Sequence, residues 1–210
     1  MICRACQAWI TPVFDRAAGT VRCPDCGQVF PYEFFPLFIV TGCSGTGKTA
    51  MLSHLQEQLP DWEVFETDIL WDSGREWDWV WANWLRIVDT LARRPHGRLT
   101  ILCGTVLPDR IARASAGLAF RAIHWLALSC DEETLESRLR ERPAWRGCTD
   151  TFIAEQRVLR QWLLDNAREA FDPHLEIVDT TYLTVTQIAE RVSEWAIMRW
   201  MEGEAAGKNF

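Results

Sequence analysis

Residues 37–49 read LFIVTGCSGTGKT, and this stretch decides the fold of the chain. Its first part, Leu37 to Thr41, is a short apolar run rich in β-branched residues, which predicts a buried strand. Its second part, Gly42 to Thr49, matches the pattern G-x-x-x-x-G-K-[ST] without a mismatch. Apolar residues then recur at helical spacing until Pro60 ends the helix. A strand, a glycine-rich loop and a helix in this order predict a P-loop, which holds the phosphates of a nucleotide at the helix N-terminus.

The fixed positions of this loop have separate chemical tasks. The glycines let backbone N–H groups curve around the phosphates, Lys48 reaches the β and γ oxygens, and the Thr49 hydroxyl ligates Mg²⁺. We expect Lys48 at the loop surface and not in the core. A glycine-rich turn without a ligand is the alternative, since so short a pattern can match by chance. The predicted nucleotide-binding residues are Gly42, Ser44, Gly45, Thr46, Gly47, Lys48 and Thr49.

Strand and helix signals alternate along the rest of the chain. Short apolar runs predict strands at 63–66, 99–103, 122–128 and 175–178. Longer stretches predict helices at 75–93, from 131 to a stop at Pro143, at 150–170 and after 184. Five apolar strands separated by helices are typical of a parallel sheet covered on both faces. The predicted fold class is α/β, a P-loop NTPase three-layer fold with a five-stranded parallel sheet.

Side-chain patterns predict how some of these helices begin and pack. Ser129 with Glu132, and Thr184 with Gln187, are spaced as capping boxes at two helix starts. The last helix should pack through Val185, Ile188, Val192 and Trp195. The helix at 75–93 should pack through a core stripe of Val80, Trp84, Ile87, Val88 and Leu91.

The N-terminal segment carries two C-x-x-C pairs, Cys3 with Cys6 and Cys23 with Cys26. Their separation falls inside the C-x2-C-x15-20-C-x2-C pattern of zinc sites. Each pair on a tight turn projects two thiolates, so two turns complete a tetrahedral site with no position open for substrate. The sequence predicts a structural Zn²⁺ ribbon with a short hairpin turning near Gly19; disulfides or an iron–sulfur centre are the alternatives. The other cysteines, Cys43, Cys103, Cys130 and Cys148, have no metal-like spacing and are read as packed residues.

Composition excludes several classes of protein. The chain has 210 residues, 24% of them charged, and a formal net charge of -7. An acidic balance argues against broad electrostatic binding of nucleic acid. The longest apolar stretch, Phe34 to Val40, is too short to span a bilayer, and the N-terminus lacks the pattern of a signal peptide. We therefore expect no membrane segment and a cytoplasmic location; the sequence leaves the oligomeric state open.

Missing motifs narrow the kind of P-loop protein. No guanine-reading N-K-x-D occurs, so a GTPase is excluded. The strand at 99–103 ends in Cys103-Gly104-Thr105, without the acidic residue that ATPase motors carry there. Carboxylates instead follow the second strand, at Glu66, Asp68 and Asp72.

In these features the chain resembles the nucleoside monophosphate kinase-like group of P-loop small-molecule kinases, which includes shikimate kinase, gluconate kinase and chloramphenicol phosphotransferase. The resemblance covers residues 37 to about 200 and implies ATP and Mg²⁺ as cofactors. It places Asp68 where such a carboxylate meets the acceptor hydroxyl or the metal, so Asp68 is predicted to be catalytic and a Mg²⁺ ligand. Glu66 and Asp72 are explained by capping and solvation. The acceptor-binding motifs of shikimate and gluconate kinases are not recognisable here, so their substrates are not carried over.

Residues 135–146, LESRLRERPAWR, carry a second resemblance. In the similar kinases R-[IL]-x-x-R leads into a mobile lid, which implies that Arg138 lies over adenine and that Arg142 reaches the transferring phosphates. Guanidinium suits both tasks, because it stacks on rings and forks two phosphate oxygens. A solvated helix with Glu136 paired to Arg140 is the alternative; Arg146 has a weaker claim to the lid. The resemblance also places the adenine edge loosely at 179–181.

The acceptor site is expected in the tryptophan-rich stretch at 71–81. Tryptophans beyond the core stripe could stack on a planar acceptor, with Arg75 and Asp72 as polar contacts. Ordinary packing of these indoles is the alternative. The predicted acceptor is a small molecule, a nucleoside or nucleotide-like compound. The tryptophans concerned are Trp71, Trp77 and Trp81.

Two functions follow from the sequence. The first is an ATP-dependent kinase of a small molecule, with Lys48, Asp68 and Arg142 as catalytic residues. The second is a nucleotide-switched binding protein whose ribbon contacts a macromolecule. The predicted domains are the ribbon at 1–30, a linker at 31–36, the kinase domain at 37–202 and a frayed tail at 203–210.

Overall fold

A computed structural model of the chain describes residues 1–72, 74–92, 98–114, 118 and 120–207, with 206 and 207 described by their backbone alone. Its main sheet is parallel throughout and has the strand order β5-β6-β4-β7-β8. The predicted α/β fold class, with a five-stranded parallel sheet, is therefore confirmed. The strands of this sheet are β4 Leu37–Gly42, β5 Glu63–Glu66, β6 Thr100–Cys103, β7 Ile123–Ser129 and β8 Glu176–Asp179.

Helices cover both faces of this sheet. In β4, Leu37 and Ile39 point into one buried core and Phe38 and Val40 into the other, as the period of two in a strand requires. The first core includes residues of α2, α3, α4 and α5, and the second includes residues of α1 and α6. These helices are α1 Leu52–Gln58, α2 Trp77–Ala92, α3 Pro108–Ala114, α4 Glu132–Arg140, α5 Asp150–Asn166 and α6 Val185–Gly207.

The predicted strand bounds hold to within one residue, but one helix start was assigned wrongly. Ser129 still belongs to β7, and α4 begins after Asp131, whose carboxylate accepts a 2.7 Å hydrogen bond from Thr134 N. A capping box of Ser129 with Glu132 is therefore wrong. The box at α6 is confirmed, because Thr184 and Gln187 each accept a hydrogen bond at their side chain from the other's backbone N–H.

The buried face of α2 differs from the predicted stripe. Val80, Trp84 and Val88 are buried as expected, whereas Ile87 is 38% exposed. Trp81 and Leu85 are fully buried instead. The buried arc is wider on this side because α3 packs against α2 in addition to the sheet. Arg93, at the predicted end of this helix, lies outside the described residues.

The N-terminal segment forms its own antiparallel sheet of three strands, β1 Val13–Asp15, β2 Thr20–Arg22 and β3 Val29–Pro31. The predicted hairpin is β1 and β2, and Gly19 lies in its turn with a φ of 60°. The third strand runs into the segment 31–36 that was predicted to be a linker, where Tyr32 and Phe34 pack on Phe14. The segment is thus packed on the ribbon rather than free.

The ribbon lies at the amino-terminal edge of the main sheet. Arg16 donates a 3.0 Å hydrogen bond from Nε to the Phe120 carbonyl and a second bond to the Leu118 carbonyl. Both carbonyls precede β7, which starts beside the start of β4. The ribbon therefore contacts the edge of the sheet opposite to the loop that follows β4.

The C-terminal segment was expected to be frayed from Gly203 onward. Instead α6 continues to Gly207, and 208–210 lie outside the described residues. An ion pair of 3.0 Å between Arg121 and Glu204 holds this last part of the helix, while Phe35 stacks on Trp200 one turn earlier. The structure therefore places 203–207 in α6.

Candidate functional site

A cavity of about 550 Å³ opens where β4, β5 and β6 end. In open parallel sheets, ligands bind outside the carboxyl ends of the strands, where the strand order reverses. Four cationic side chains and two carboxylates reach the cavity, a balance suited to a polyanion. These ionisable residues are Lys48, Glu66, Asp68, Arg138, Arg142 and Arg146.

The loop at 42–49 has the backbone conformation that its glycines allow. Gly42 has a φ of 133°, and a Cβ there would overlap the Leu128 carbonyl of the neighbouring strand. Gly45 has a φ of 93°, which residues with a side chain rarely adopt. Within the loop, the buried Thr46 hydroxyl donates to the Cys43 carbonyl at 2.9 Å. The loop is therefore shaped in part by its own glycines and by this internal bond.

Lys48 lies against the loop and is half-buried. Its ammonium donates two hydrogen bonds of 2.7 Å, to the carbonyls of Gly42 and Cys43. Burial lowers the pKa of Lys48 to about 8, and the nearby Cys43 and Asp68 partly offset this shift. The sequence-based expectation of a surface lysine is thus only partly correct.

Two carboxylates lie at and just after the end of β5, and Asp68 is the one whose charge acts on Lys48. The Thr49 hydroxyl donates a hydrogen bond to Glu66, the last residue of β5. Asp68 follows in a 3-10 helix, Thr67–Leu70, and burial together with the Glu66 charge raises its pKa. Lys48, Arg146 and Arg142 lower the pKa of Asp68 in part, which places all three cations near this carboxylate.

The end of β6 carries no carboxylate, as the sequence indicated. Glu66 lies in register with Cys103 across the β5–β6 pair, and Gly104 and Thr105 follow. The Thr105 hydroxyl donates to the Gly42 carbonyl at 2.8 Å. The acidic groups of this site therefore come from β5, two strands away from β4.

The predicted arginines reach the cavity in different ways. Arg138 on α4 donates to Thr180 O at 2.9 Å and to Thr180 Oγ1 at 3.2 Å. Arg142 and Arg146 lie beyond the end of α4, and Arg146 lies 4.7 Å from the ring centre of Trp145. Arg140 points elsewhere and pairs with Glu136 and Asp150, as the solvated alternative predicted for that residue alone.

In the loop after β8, Leu183 lines the cavity, whereas Thr180 supports the site from inside the protein. Thr180 is fully buried, and its hydroxyl lies 3.1 Å from the Thr46 carbonyl and 3.0 Å from the Ser129 carbonyl. Asp179 accepts hydrogen bonds from Thr181 N and Oγ1. The Thr180 hydroxyl is occupied by these contacts within the protein, and the adenine edge at 179–181 stays a prediction.

The tryptophans proposed for the acceptor lie outside the cavity lining. Trp81 is fully buried, so it cannot stack on a ligand, and this part of the expectation is wrong. Trp71 and Trp77 stack on each other with ring centres 5.9 Å apart. Asp72 and Arg75 form a 2.7 Å ion pair with each other. The indole that does line the cavity is Trp145, which is 76% exposed.

Sequence reasoning underestimated or missed two further residues. Glu66 was assigned to solvation, although its position at a strand end beside the loop was a usable signal. Gln156 on α5 accepts a 2.8 Å hydrogen bond from Ser44 N, and no spacing in the sequence indicates this contact. It joins residues 112 positions apart.

The four ribbon cysteines meet in a second candidate site. Their sulfur atoms all lie within 4.8 Å of one another, with Cys3 and Cys26 at 3.8 Å and Cys6 and Cys23 at 3.8 Å. Tetrahedral zinc with Zn–S bonds of about 2.3 Å requires sulfur separations of roughly this size. All eight cysteines are free thiols. The donor set therefore fits Zn²⁺ and does not support the disulfide alternative.

Within the described residues, no helix is both long and apolar enough to cross a membrane.

The sequence matches no protein-family model and no curated protein. Solved structures do match the fold, and the three described next each have a TM-score of 0.51. A sugar kinase from a Janibacter species is 18% identical and covers 81% of this chain and 95% of its own. Shikimate kinase from Acinetobacter baumannii is 19% identical, with 79% and 94% covered. A gluconokinase from Sinorhizobium meliloti is 18% identical, with 80% and 99% covered. The chain therefore has the fold of P-loop kinases.

Proposed function

We propose that the protein is an ATP-dependent phosphotransferase that moves the γ-phosphate of ATP to a small-molecule acceptor. One observation carries this proposal: a phosphate loop, two carboxylates and three arginines surround a single cavity. Phosphate transfer requires positioning, neutralisation of charge and a group that accepts the proton of the acceptor hydroxyl. A nucleotide switch requires positioning and neutralisation of charge, and it does not require a proton acceptor. The structural neighbours include a sugar kinase, a shikimate kinase and a gluconokinase, which supports the same function.

The loop and the β5 carboxylates would hold ATP and Mg²⁺. Backbone N–H groups of 45–49 would cradle the phosphates, since Ser44 N already donates to Gln156, and the Lys48 ammonium would turn from the loop carbonyls toward the β and γ oxygens. Thr49 and Asp68 would hold Mg²⁺ together with Glu66, which accepts a hydrogen bond from Thr49, and the ion would neutralise charge on the phosphates. We thus assign Glu66 a larger role than the sequence indicated.

Asp68 is the proposed general base. Its raised pKa, caused by burial and by Glu66, makes it a better proton acceptor than an ordinary aspartate. Arg142 is proposed to neutralise the transferring phosphate, and Arg138 to fix the adenine side of the cavity. The segment that carries Arg142 and Arg146 is proposed to close over the site as a lid.

The acceptor would enter beside Asp68, where Trp145 and Arg146 complete the lining. An exposed indole with a guanidinium against it offers a flat face for a ring and a cation for a polar group. The proposed acceptor is therefore a nucleoside or nucleotide-like compound. Trp145, rather than the tryptophans at 71–81, is proposed to stack on it.

The test measures ADP formation with nucleosides, nucleotides, sugars and aminoglycoside-like alcohols as acceptors. Asp68→Asn should leave the ATP dissociation constant within about twofold and reduce transfer by roughly 100- to 10,000-fold. Asp72→Asn is the matched control, because Asp72 is exposed and paired with Arg75 outside the cavity. If no acceptor raises turnover above the basal rate, the kinase proposal is rejected and the switch reading takes its place.

The arginines are tested in the same assay. Arg142→Ala should reduce transfer by roughly 1,000-fold with little change in ATP binding, since it acts on the transferring phosphate. Arg138→Ala should weaken ATP binding itself. Arg140→Ala is the control and should change neither, because that side chain pairs with Glu136 and Asp150 at the surface. Equal effects of Arg140→Ala and Arg142→Ala would show that no arginine of this segment acts specifically.

A further inference from the structure

We infer that Gln156 is a positioning residue of the phosphate loop: its side-chain oxygen fixes the peptide group between Cys43 and Ser44. Gln156 lies in the middle of α5, is 9% exposed, and accepts a 2.8 Å hydrogen bond from Ser44 N. The inference rests on the proposed nucleotide site, but not on phosphate transfer.

The peptide group in question is held from both of its ends. Its N–H belongs to Ser44 and donates to Gln156, while its carbonyl belongs to Cys43. That carbonyl accepts from the Thr46 hydroxyl at 2.9 Å and from the Lys48 ammonium at 2.7 Å. The orientation of this peptide plane therefore determines where the Cys43 carbonyl points, and this carbonyl is one of the two that accept hydrogen bonds from Lys48.

Loop residues hold only the carbonyl end of this peptide, through Thr46 and Lys48, so the N–H end needs an anchor from outside the loop. Gly42 and Gly45 flank the segment, both with positive φ, and glycine is the residue with the most backbone freedom. A rotated Cys43–Ser44 peptide would withdraw the carbonyl from Lys48 and alter the amide that follows at Gly45. Phosphate loops bind through aligned N–H groups, so a disordered plane weakens phosphate binding.

The helix that supplies Gln156 is itself fixed at this end of the sheet. One turn later, Arg160 Nε donates to the Cys130 carbonyl just after β7. Ile153 and Leu163 of the same helix are buried in the core. Gln156 thus acts from a rigid support, which is what a positioning residue requires.

The experiment compares ATP binding and kinetics of Gln156→Leu, Gln156→Asn and wild type. Leucine has a similar volume and accepts no hydrogen bond, and asparagine keeps the amide but is one methylene too short. Both should raise the ATP dissociation constant by about tenfold, since ATP must then order a loop peptide that is no longer fixed before binding. The KM for ATP should rise while the KM for the acceptor stays unchanged. Gln161→Leu, on the exposed face of α5, is the control and should match wild type.

A purely structural role would lower the melting temperature and leave the ATP dissociation constant of the folded protein unchanged, and that outcome overturns the inference. ATP binding within twofold of wild type for both variants also overturns it. If Gln156→Leu does not fold, Gln156→Asn carries the test. Absence of ATP binding by wild type would instead reject the proposed nucleotide site, so the two failures are distinguishable.

Discussion

The Thr49 hydroxyl donates a hydrogen bond to the Glu66 carboxylate, which joins the end of the phosphate loop to the end of a strand two positions away in the sheet. A carboxylate bonded to the threonine of this motif lies where the water shell of a bound Mg²⁺ would be. Glu66 is thus better placed than Asp72 to contact a bound Mg²⁺, although the sequence analysis explained both residues by capping and solvation.

The first prediction concerns this carboxylate. Glu66→Gln should raise the Mg²⁺ concentration needed for half-maximal ATP turnover by about tenfold, because a neutral amide holds metal-bound water less strongly. Turnover at saturating Mg²⁺ should recover in part, whereas Asp68→Asn should not recover. The measurement is a Mg²⁺ titration at fixed ATP. An unchanged titration curve would exclude Glu66 from the metal site.

The second prediction concerns the charge of Lys48. Its pKa of about 8, below the ordinary 10.5 because of burial, means that the free protein loses this charge as the pH rises above 8. ATP affinity of wild type should therefore fall by about tenfold for each pH unit above 8. The sign for stability is opposite: burying a charged Lys48 costs stability below pH 8, and this cost falls between pH 8 and 10.5.

Lys48→Arg supplies the control, since a guanidinium stays charged throughout. Its ATP affinity, whatever its value at pH 7.5, should change little up to pH 9.5. Isothermal titration of both proteins with ATP over this range checks the prediction. Parallel curves for the two proteins would assign the pH dependence to another group.

The third prediction concerns zinc. Elemental analysis of protein purified without added metal should find about one zinc per chain. Cys23→Ser should abolish zinc binding, whereas Cys148→Ser should not, because Cys148 is outside the four-sulfur cluster. Structural zinc contributes on the order of 10 to 16 kcal/mol of apparent binding free energy, so the ribbon should unfold without it. A metal-free preparation with a folded ribbon would disprove the site.

The fourth prediction concerns the close contact of Gly104 with Thr67. A Cβ at Gly104 would overlap the Thr67 hydroxyl, a buried group without a hydrogen-bond partner among the described residues. Gly104→Ala should lower the free energy of unfolding by about 1–3 kcal/mol. Adding Thr67→Ala should recover at least half of this loss, which chemical denaturation of both variants measures. Gly74→Ala is the control, because a Cβ there meets only an ordinary contact, and it should change stability by less than about 0.5 kcal/mol.

The sheet was predictable because its signals are local. Strands β4, β6 and β7 are mostly apolar, β5 and β8 each have an apolar pair between acidic residues, and the phosphate loop has a fixed spacing. The start of α4 was missed because Ser129, Asp131 and Glu132 all favour a helix start, and only the end of β7 decides among them.

Contacts between distant segments account for the other differences. Trp81 is buried because α3 covers α2, and no periodicity within α2 reports the position of α3. The bonds of Gln156 to Ser44 and of Thr180 to Thr46 join residues more than a hundred positions apart. Glutamine and threonine are common on helices and loops, so the residue type alone does not predict that either side chain contacts the phosphate loop.

The position of the ribbon has one consequence for the whole molecule. It contacts the edge where β4 and β7 begin, while the cavity opens where β4 ends, six residues or about 20 Å away. A macromolecule that bound the ribbon would therefore lie at the edge of the sheet opposite to the cavity. Under the proposed function, ATP and ADP could still enter and leave the cavity. Binding of the ribbon to a larger assembly would then leave the turnover of the chain unchanged.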